Sequence, residues 1–403
     1  MKRSNRRGFT IVELVIVIAV VAVLTAVLIP TFGGIIEKAN RSADEQTVAQ
    51  MNTAIAIEGA SEALTLDAAL EALEENGITM DDLIPKSSGF GYVWNEEDGK
   101  FELVENATNP VAVAVKDADD FIAALDAVKY IRLDSNVTIN EEAAIDNADL
   151  TINLNGKTLA VNSGEKDRPL SLGTGADVTI SGGNIVNTFA GGTYGVCENY
   201  GTLTLNNVNF TEGAGDGGAS FRNRDGGKMY VNGGSYTVTA ANGNQLFRNH
   251  AGATGCYLEI NGAAIRSAST HTDTYHGEYA IVIRSGEAKL TDINVSGNFG
   301  AIAIEGGKVT IDGGKYFDSN AAAGQFYGIY VSNAHGIATE VSVANADIHG
   351  GLFDICVCDN NGEGGEAIND ITIKLTIKDG VNLLGNGLNE TDLDGNGNVT
   401  VIR

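Results

Sequence analysis

Glu13 is the one charged residue in an apolar run of 21 residues, Phe9–Ile29, and a carboxylate there needs a physical reason. In a membrane helix such a group costs on the order of 3 kcal/mol near the centre and less near the end, so it calls for a partner. A second set is Arg222, Arg248 and His250, which fall at matching places in a repeat with Arg224 and Asp225 close by. Facing out from a flat sheet, these arginines could grip an acidic glycan; the blander reading is a solvated edge offsetting nearby carboxylates.

Metal chemistry has weaker material. Asp392, Asp394 and Asn396 carry the spacing of the first half of a calcium loop. Its twelfth position is Arg403, where a bidentate Glu belongs, so a polar turn into a last strand, Val399–Ile402, fits better. His271, Asp273 and His276 are ligand types in an unsupported loop, and Asp119-Asp120 reads as the solvated face of a helix. The expectation is no metal and no cofactor, with calcium as a weak candidate. Cys356-x-Cys358 puts two thiols on one face of a strand, poor for a mutual disulfide and too sparse for zinc. Free, buried cysteines are expected, and a Cys197–Cys256 pairing stays open.

The element that positions Glu13 must be a helix. Phe9–Ile29 spans about 32 Å as one, enough for the hydrocarbon core. Lys2, Arg3, Arg6 and Arg7 precede it, which keeps the N-terminus cytoplasmic. An ordinary signal peptide has a shorter core and a small-x-small site after it, whereas Pro30-Thr31-Phe32 follows here. A plain anchor fits the length and leaves Glu13 unexplained. The run Arg7-Gly8-Phe9-Thr10-Ile11-Val12-Glu13-Leu14 resembles the cleavage and methylation site of type IV prepilins and type II secretion pseudopilins. The resemblance implies a leader at 1–8, cutting by a prepilin peptidase between Gly8 and Phe9, and N-methylation of Phe9. It also implies that Glu13 pairs with the Phe9 amine of a neighbouring pilin or pseudopilin subunit, and it matches Pro30 to a helix kink.

Beyond the membrane segment, 9–29, the pattern predicts a small pilin-like module over 30–105. The helix continues to about Glu58 with Ile35, Ala39, Val48, Met51 and Ile55 as its apolar stripe and Asp44 off it. Leu66–Glu75 reads as a second helix, and Gly91–Trp94 with Phe101–Val104 as a hairpin with Trp94 in its core. A linker is expected at 106–116, then a cap helix over Asp117–Val128. From Val137 a unit of strand, Gly/Asn turn and strand recurs every roughly 20–32 residues, as in Val178-Thr-Ile-Ser-Gly-Gly and Val309-Thr-Ile-Asp-Gly-Gly. Such a period with β content means a solenoid. Aligning Cys197, Phe221, Phe247, Val282, Ala303, Tyr330 and Cys356 gives an expected inward column, with Asn199, Asn223 and Asn249 as a ladder two residues on. Arg266–Tyr279 is the longest insertion. This part, 117–403, resembles the right-handed parallel β-helix of the pectate-lyase-like superfamily, with roughly eight to ten coils over about 40–50 Å. The fold class expected is therefore mainly β: a membrane and pilin helix with a small α+β module, then the β-helix.

A net charge of −26, four of whose 26 basic groups sit before Gly8, argues against nucleic acid as a partner. Pectate and pectin lyases carry clustered acidic calcium ligands, and polygalacturonase-like enzymes carry Asn-Thr-Asp, Asp-Asp, Gly-His-Gly and Arg-Ile-Lys; no such string falls on a β rung here. Fold alone does not give function. Three readings follow: a filament subunit displaying the β-helix outside the cell for adhesion or glycan binding, an anchored polysaccharide lyase or hydrolase, and a passive component of a secretion pseudopilus.

Overall fold

The computed structural model describes residues 10–57, 65–162, 169–188, 195–213, 218–239, 245–250, 252, 254–268, 279–298, 300–319, 326–358, 371–391 and 399–403. The chain divides into two compact units, Met1–Val113 and Ala114–Arg403. The division falls inside a strand, Ala112–Val115, so the expected linker at 106–116 is partly strand; Ala112 and Val115 are both buried.

The first unit is built on one helix, α1, running unbroken from Ile11 to Ile57 through Pro30 and Gly33-Gly34. Helix α2 (Leu66–Glu75) starts at Thr65, whose hydroxyl accepts from the Ala68 amide, and the chain leaves it through Gly77 at φ +76°. Strands β1 (Phe90–Asn95) and β2 (Lys100–Glu105) pair antiparallel, with Trp94 opposite Phe101 and the two rings edge to face at 5.2 Å. The apolar stripe read along α1 needs correction at its upper end. Ile35 and Ala39 are exposed, and the buried face runs through Asp44, Met51, Ala54 and Ile55. Asp44 anchors that face because its carboxylate takes the Lys86 and Ser87 amides at 2.9 and 2.8 Å, the Ser87 hydroxyl, and the Tyr92 hydroxyl at 3.2 Å. Burial and the Asp44 charge push the Tyr92 phenol above its ordinary range. Hydrophobic periodicity has no way to show a carboxylate satisfied by backbone donors.

The second unit is a parallel β-helix. A short helix, Ala118–Ala124, begins it and packs against the strand Val137–Ile139. Asp117 caps this helix by accepting from the Asp120 amide at 3.0 Å. It ends four residues before the predicted Val128 because Leu125 and Val128 are buried through turns instead. Each later coil contributes two strands, or one long strand as at Asp177–Asn187 and Thr202–Glu212, to one large sheet and one strand to a second sheet. The second sheet has ten strands among the described residues, from Ala143–Ile145 to Leu388–Thr391, every neighbour parallel. At about 4.8 Å per strand it is about 43 Å long.

The Gly/Asn turns of the repeat have one physical cause. The bend between the two strands of the large sheet has at least one left-handed residue in each of seven coils. Gly182, Asn207, Gly233, Gly262, Asp292, Gly313 and Asn345 hold φ between 49° and 78° at equivalent places in seven successive coils. Gly, Asn and Asp are the residues that adopt this conformation at least cost.

Inside, apolar residues stack coil on coil: Phe221 lies 5.5 Å from Phe247, and Tyr236 and Phe210 meet these rings edge-on. Each such side chain contributes about 1.5–3 kcal/mol by leaving water. The asparagine ladder is present and buried. Asn199 donates to Asn223 at 2.8 Å, Asn223 to Asn249 at 3.0 Å, and each also donates to a main-chain carbonyl of the following coil. The inward column is displaced by one residue from the expected alignment beyond Phe247. Phe247 pairs with Ile281, and the column continues through Ile302, Ile329 and Ile355. Val282, Ala303, Tyr330 and Cys356 line up with Arg248 and face away from the coil interior. Runs such as Ala280-Ile-Val-Ile283 are apolar on both faces, so alternation carries no phase there.

Candidate functional site

Two regions hold the candidate residues. The first is the start of α1. Thr10 and Glu13 close a capping box: the Glu13 carboxylate accepts from the Thr10 amide and hydroxyl, both at 2.8 Å, and the Thr10 hydroxyl accepts from the Glu13 amide at 3.3 Å. The carboxylate thus sits at the positive end of the helix dipole, satisfied within its own chain. Sequence reasoning named Glu13 and missed Thr10, although Thr-x-x-Glu is itself a capping signature. Gly8 and Phe9 lie outside the described residues. From Ile11 to Ile36 the apolar side chains of α1 are exposed, and the helix is long and apolar enough to cross a membrane.

The second region is the outer face of the ten-stranded sheet. Arg222 and Arg248 pair on adjacent strands of that face, as the repeat predicted, but they are not displayed. They are 6% and 8% exposed. Glu198, one strand earlier, accepts from Arg222 at 3.2 Å and lies 2.7 Å from Arg224, whose guanidinium also reaches the Tyr200 hydroxyl and ring. The expectation that both arginines are displayed is corrected: both are buried, and the Arg222 charge pairs with Glu198. His250 is half-buried, and its carbonyl accepts from the Ser285 hydroxyl at 2.5 Å. Glu198 and Tyr200 were missed because neither stands out by type; only the strand register brings them to the arginines.

Farther along the same face the column turns apolar. Tyr279 packs over Val282 and Ala303, and stacks on Tyr330 at 6.2 Å, with Tyr327 5.8 Å beyond. Burial pushes the Cys356 thiol up, and none of the four cysteines is in a disulfide. Asp392, Asp394 and Asn396 lie outside the described residues, as do His271, Asp273 and His276. Among the described residues no three His, Cys, Asp or Glu side chains group to hold a metal.

Residues 3–29 match the prokaryotic N-terminal methylation motif. No curated protein and no solved structure matches the chain. The match, the apolar helix and Glu13 at its head fit a pilin-like or pseudopilin-like N-terminal segment that anchors in a membrane. The motif implies processing by a prepilin peptidase and assembly with other pilin subunits.

Proposed function

We propose that this subunit enters a type IV pilus-like or pseudopilus-like filament through α1 and carries its β-helix to the cell surface, where the β-helix binds extracellular glycan. The observation that carries the reading is the exposed apolar surface of α1 from Ile11 to Ile36, headed by Glu13 inside the methylation motif. That surface needs lipid before assembly and other subunit helices after it. The Phe9 ammonium of a neighbour would then take over the Glu13 carboxylate from Thr10.

Mass spectrometry of sheared surface fractions tests delivery: peptides of the β-helix should appear there with an N-methylated Phe9 start. Glu13→Val should keep the protein in the membrane and remove it from that fraction by more than about tenfold, since a lost charge pair weakens assembly by several kcal/mol. Unchanged assembly of this variant would show the pairing role to be wrong. Glycan binding is judged separately on an array: a blank array supports a passive spacer, and new reducing ends or unsaturated products support a lyase or hydrolase.

A further inference from the structure

A groove of about 740 Å³ runs along the second unit where strands of the large sheet begin, crossing successive coils. Its floor is Gly255, Gly286, Gly307 and Ala338, one small residue per coil. Gly286 and Gly307 are required by the packing of coil on coil: each has a positive φ, and a Cβ on either would stand 2.3 Å from a carbonyl of the coil before. Its wall is a single column set by register, Tyr257, Glu287, Lys308, Glu340 and Lys374. Two residues on, Glu259 and Lys289 begin a second column facing the same way.

From Glu287 to Lys374 the wall alternates in sign at each rung, so its charges cancel in a chain of net charge −26. Several of its groups are also held in place. Tyr257 donates to Glu259 at 2.6 Å, Lys289 reaches the same carboxylate at 3.4 Å, and Lys374 lies 3.2 Å from Glu340. The Tyr257 hydrogen bond keeps the Glu259 carboxyl below its usual range. Tyr257 and Tyr230 stand side by side at 5.7 Å on the outer surface, both half-buried, and offer ring faces beside fixed donors and acceptors.

A polyanion laid along this wall meets a carboxylate at every second rung, and a polycation meets an ammonium. A chain of hydroxyls satisfies both signs, since each hydroxyl donates and accepts. The rung spacing of about 4.8 Å is close to the advance of one ring in an extended pyranose chain, whereas an extended peptide advances about 3.3 Å per residue and drifts out of phase. We propose that this groove binds a linear, uncharged polysaccharide parallel to the coil axis, about one ring per rung, with Tyr257 stacking on a ring face. The proposal rests on the glycan-binding reading above and names its ligand class and its site.

Affinity electrophoresis of the full chain in detergent tests it, with hydroxyethylcellulose, polygalacturonate and chitosan as the gel-borne probes. Hydroxyethylcellulose should retard the protein. Tyr257→Ala and Lys308→Glu should each weaken that retardation by about tenfold, and Tyr257→Phe should keep most of it. Both altered side chains lie on the outer surface, and an unchanged far-UV spectrum and melting curve for Lys308→Glu establish that the fold is intact. Retardation by hydroxyethylcellulose that neither variant changes would overturn the groove while leaving glycan binding in place. Retardation by polygalacturonate or chitosan alone would overturn the uncharged class. No retardation by any probe would overturn both this proposal and the glycan reading, and leave filament delivery to the shear test.

Discussion

Arg222 shows how a charged residue on an outward face can be structural. It shares Glu198 with Arg224, and removing it leaves a largely buried carboxylate with one partner fewer. Arg222→Ala should cost about 3 kcal/mol, the low end for breaking a buried pair, because Arg224 remains 2.7 Å from the same carboxylate. The loss should appear as a lower midpoint of the far-UV signal in urea, with retardation by hydroxyethylcellulose unchanged. Cys256 gives a pH prediction. Its thiol is buried and donates to the Arg224 carbonyl at 2.9 Å. Burial, with Asp225 nearby, pushes it up to about 11. A folded-state value above the unfolded one, about 8.5, means the neutral thiol is favoured by the fold. That contribution is whole below about pH 8.5 and is lost as pH rises toward 11. A thiolate-selective reagent at pH 8 should therefore leave Cys256 unlabelled in the folded chain and label it in urea. Rapid labelling of the folded chain at pH 8 would refute this.

At the scale of the element, α1 serves two settings, and Asp44 marks the second. Ahead of Ile36 its surface is apolar and exposed; from Asp44 on, one face belongs to the first unit's core. Asp44→Ala strands the buried Ser87 amide and hydroxyl and should cost about 3 kcal/mol; Asp44→Asn, which still accepts one bond, should cost about half as much. The chain has a single tryptophan, Trp94, and it lies in this unit's hairpin, so its fluorescence follows this unit in urea apart from the β-helix. A normal Trp94 midpoint in Asp44→Ala would mean that the anchor is dispensable. Elements with strong local signals were legible in the sequence: Leu66–Glu75 has the bounds its pattern predicts, and the Asn ladder stands where the aligned strings placed it. Elements whose phase depends on the third dimension were not. The column beyond Phe247 slipped by one because both faces there are apolar, and Arg222 was read as exposed because no local pattern reports what covers a sheet. The groove was illegible for a related reason. Tyr257, Glu287, Lys308, Glu340 and Lys374 are far apart in sequence, and only the register makes them one column.

At the scale of the molecule, the second unit is quasi-one-dimensional: each coil touches its neighbours, and stability is close to a sum of coil and interface terms. Whole coils should then be removable where the join keeps every column in phase. Glu287 pairs with Lys308, so deleting 287–307 removes one coil and sets Lys308 where Glu287 was. Ile281 then meets Ile329, Leu258 meets Val309, Ile260 meets Ile311, and left-handed Gly262 is followed by left-handed Gly313. One cost is visible. Glu305 departs, leaving Arg284 and His335, which are each 16% exposed and can turn to water. The deletion should lower the urea midpoint, keep a single cooperative transition in the far-UV signal, and shorten the rod by about 5 Å in small-angle scattering. Deleting 287–297 is the control. It removes that coil's two strands of the large sheet and leaves Gly300–Ile304, so the ten-stranded sheet keeps its rung while the large sheet loses one. That mismatch should destroy cooperative unfolding although fewer residues are missing. If the two deletions behave alike, the coil is not the unit of stability, and the groove, which depends on the same register, loses its structural basis with it.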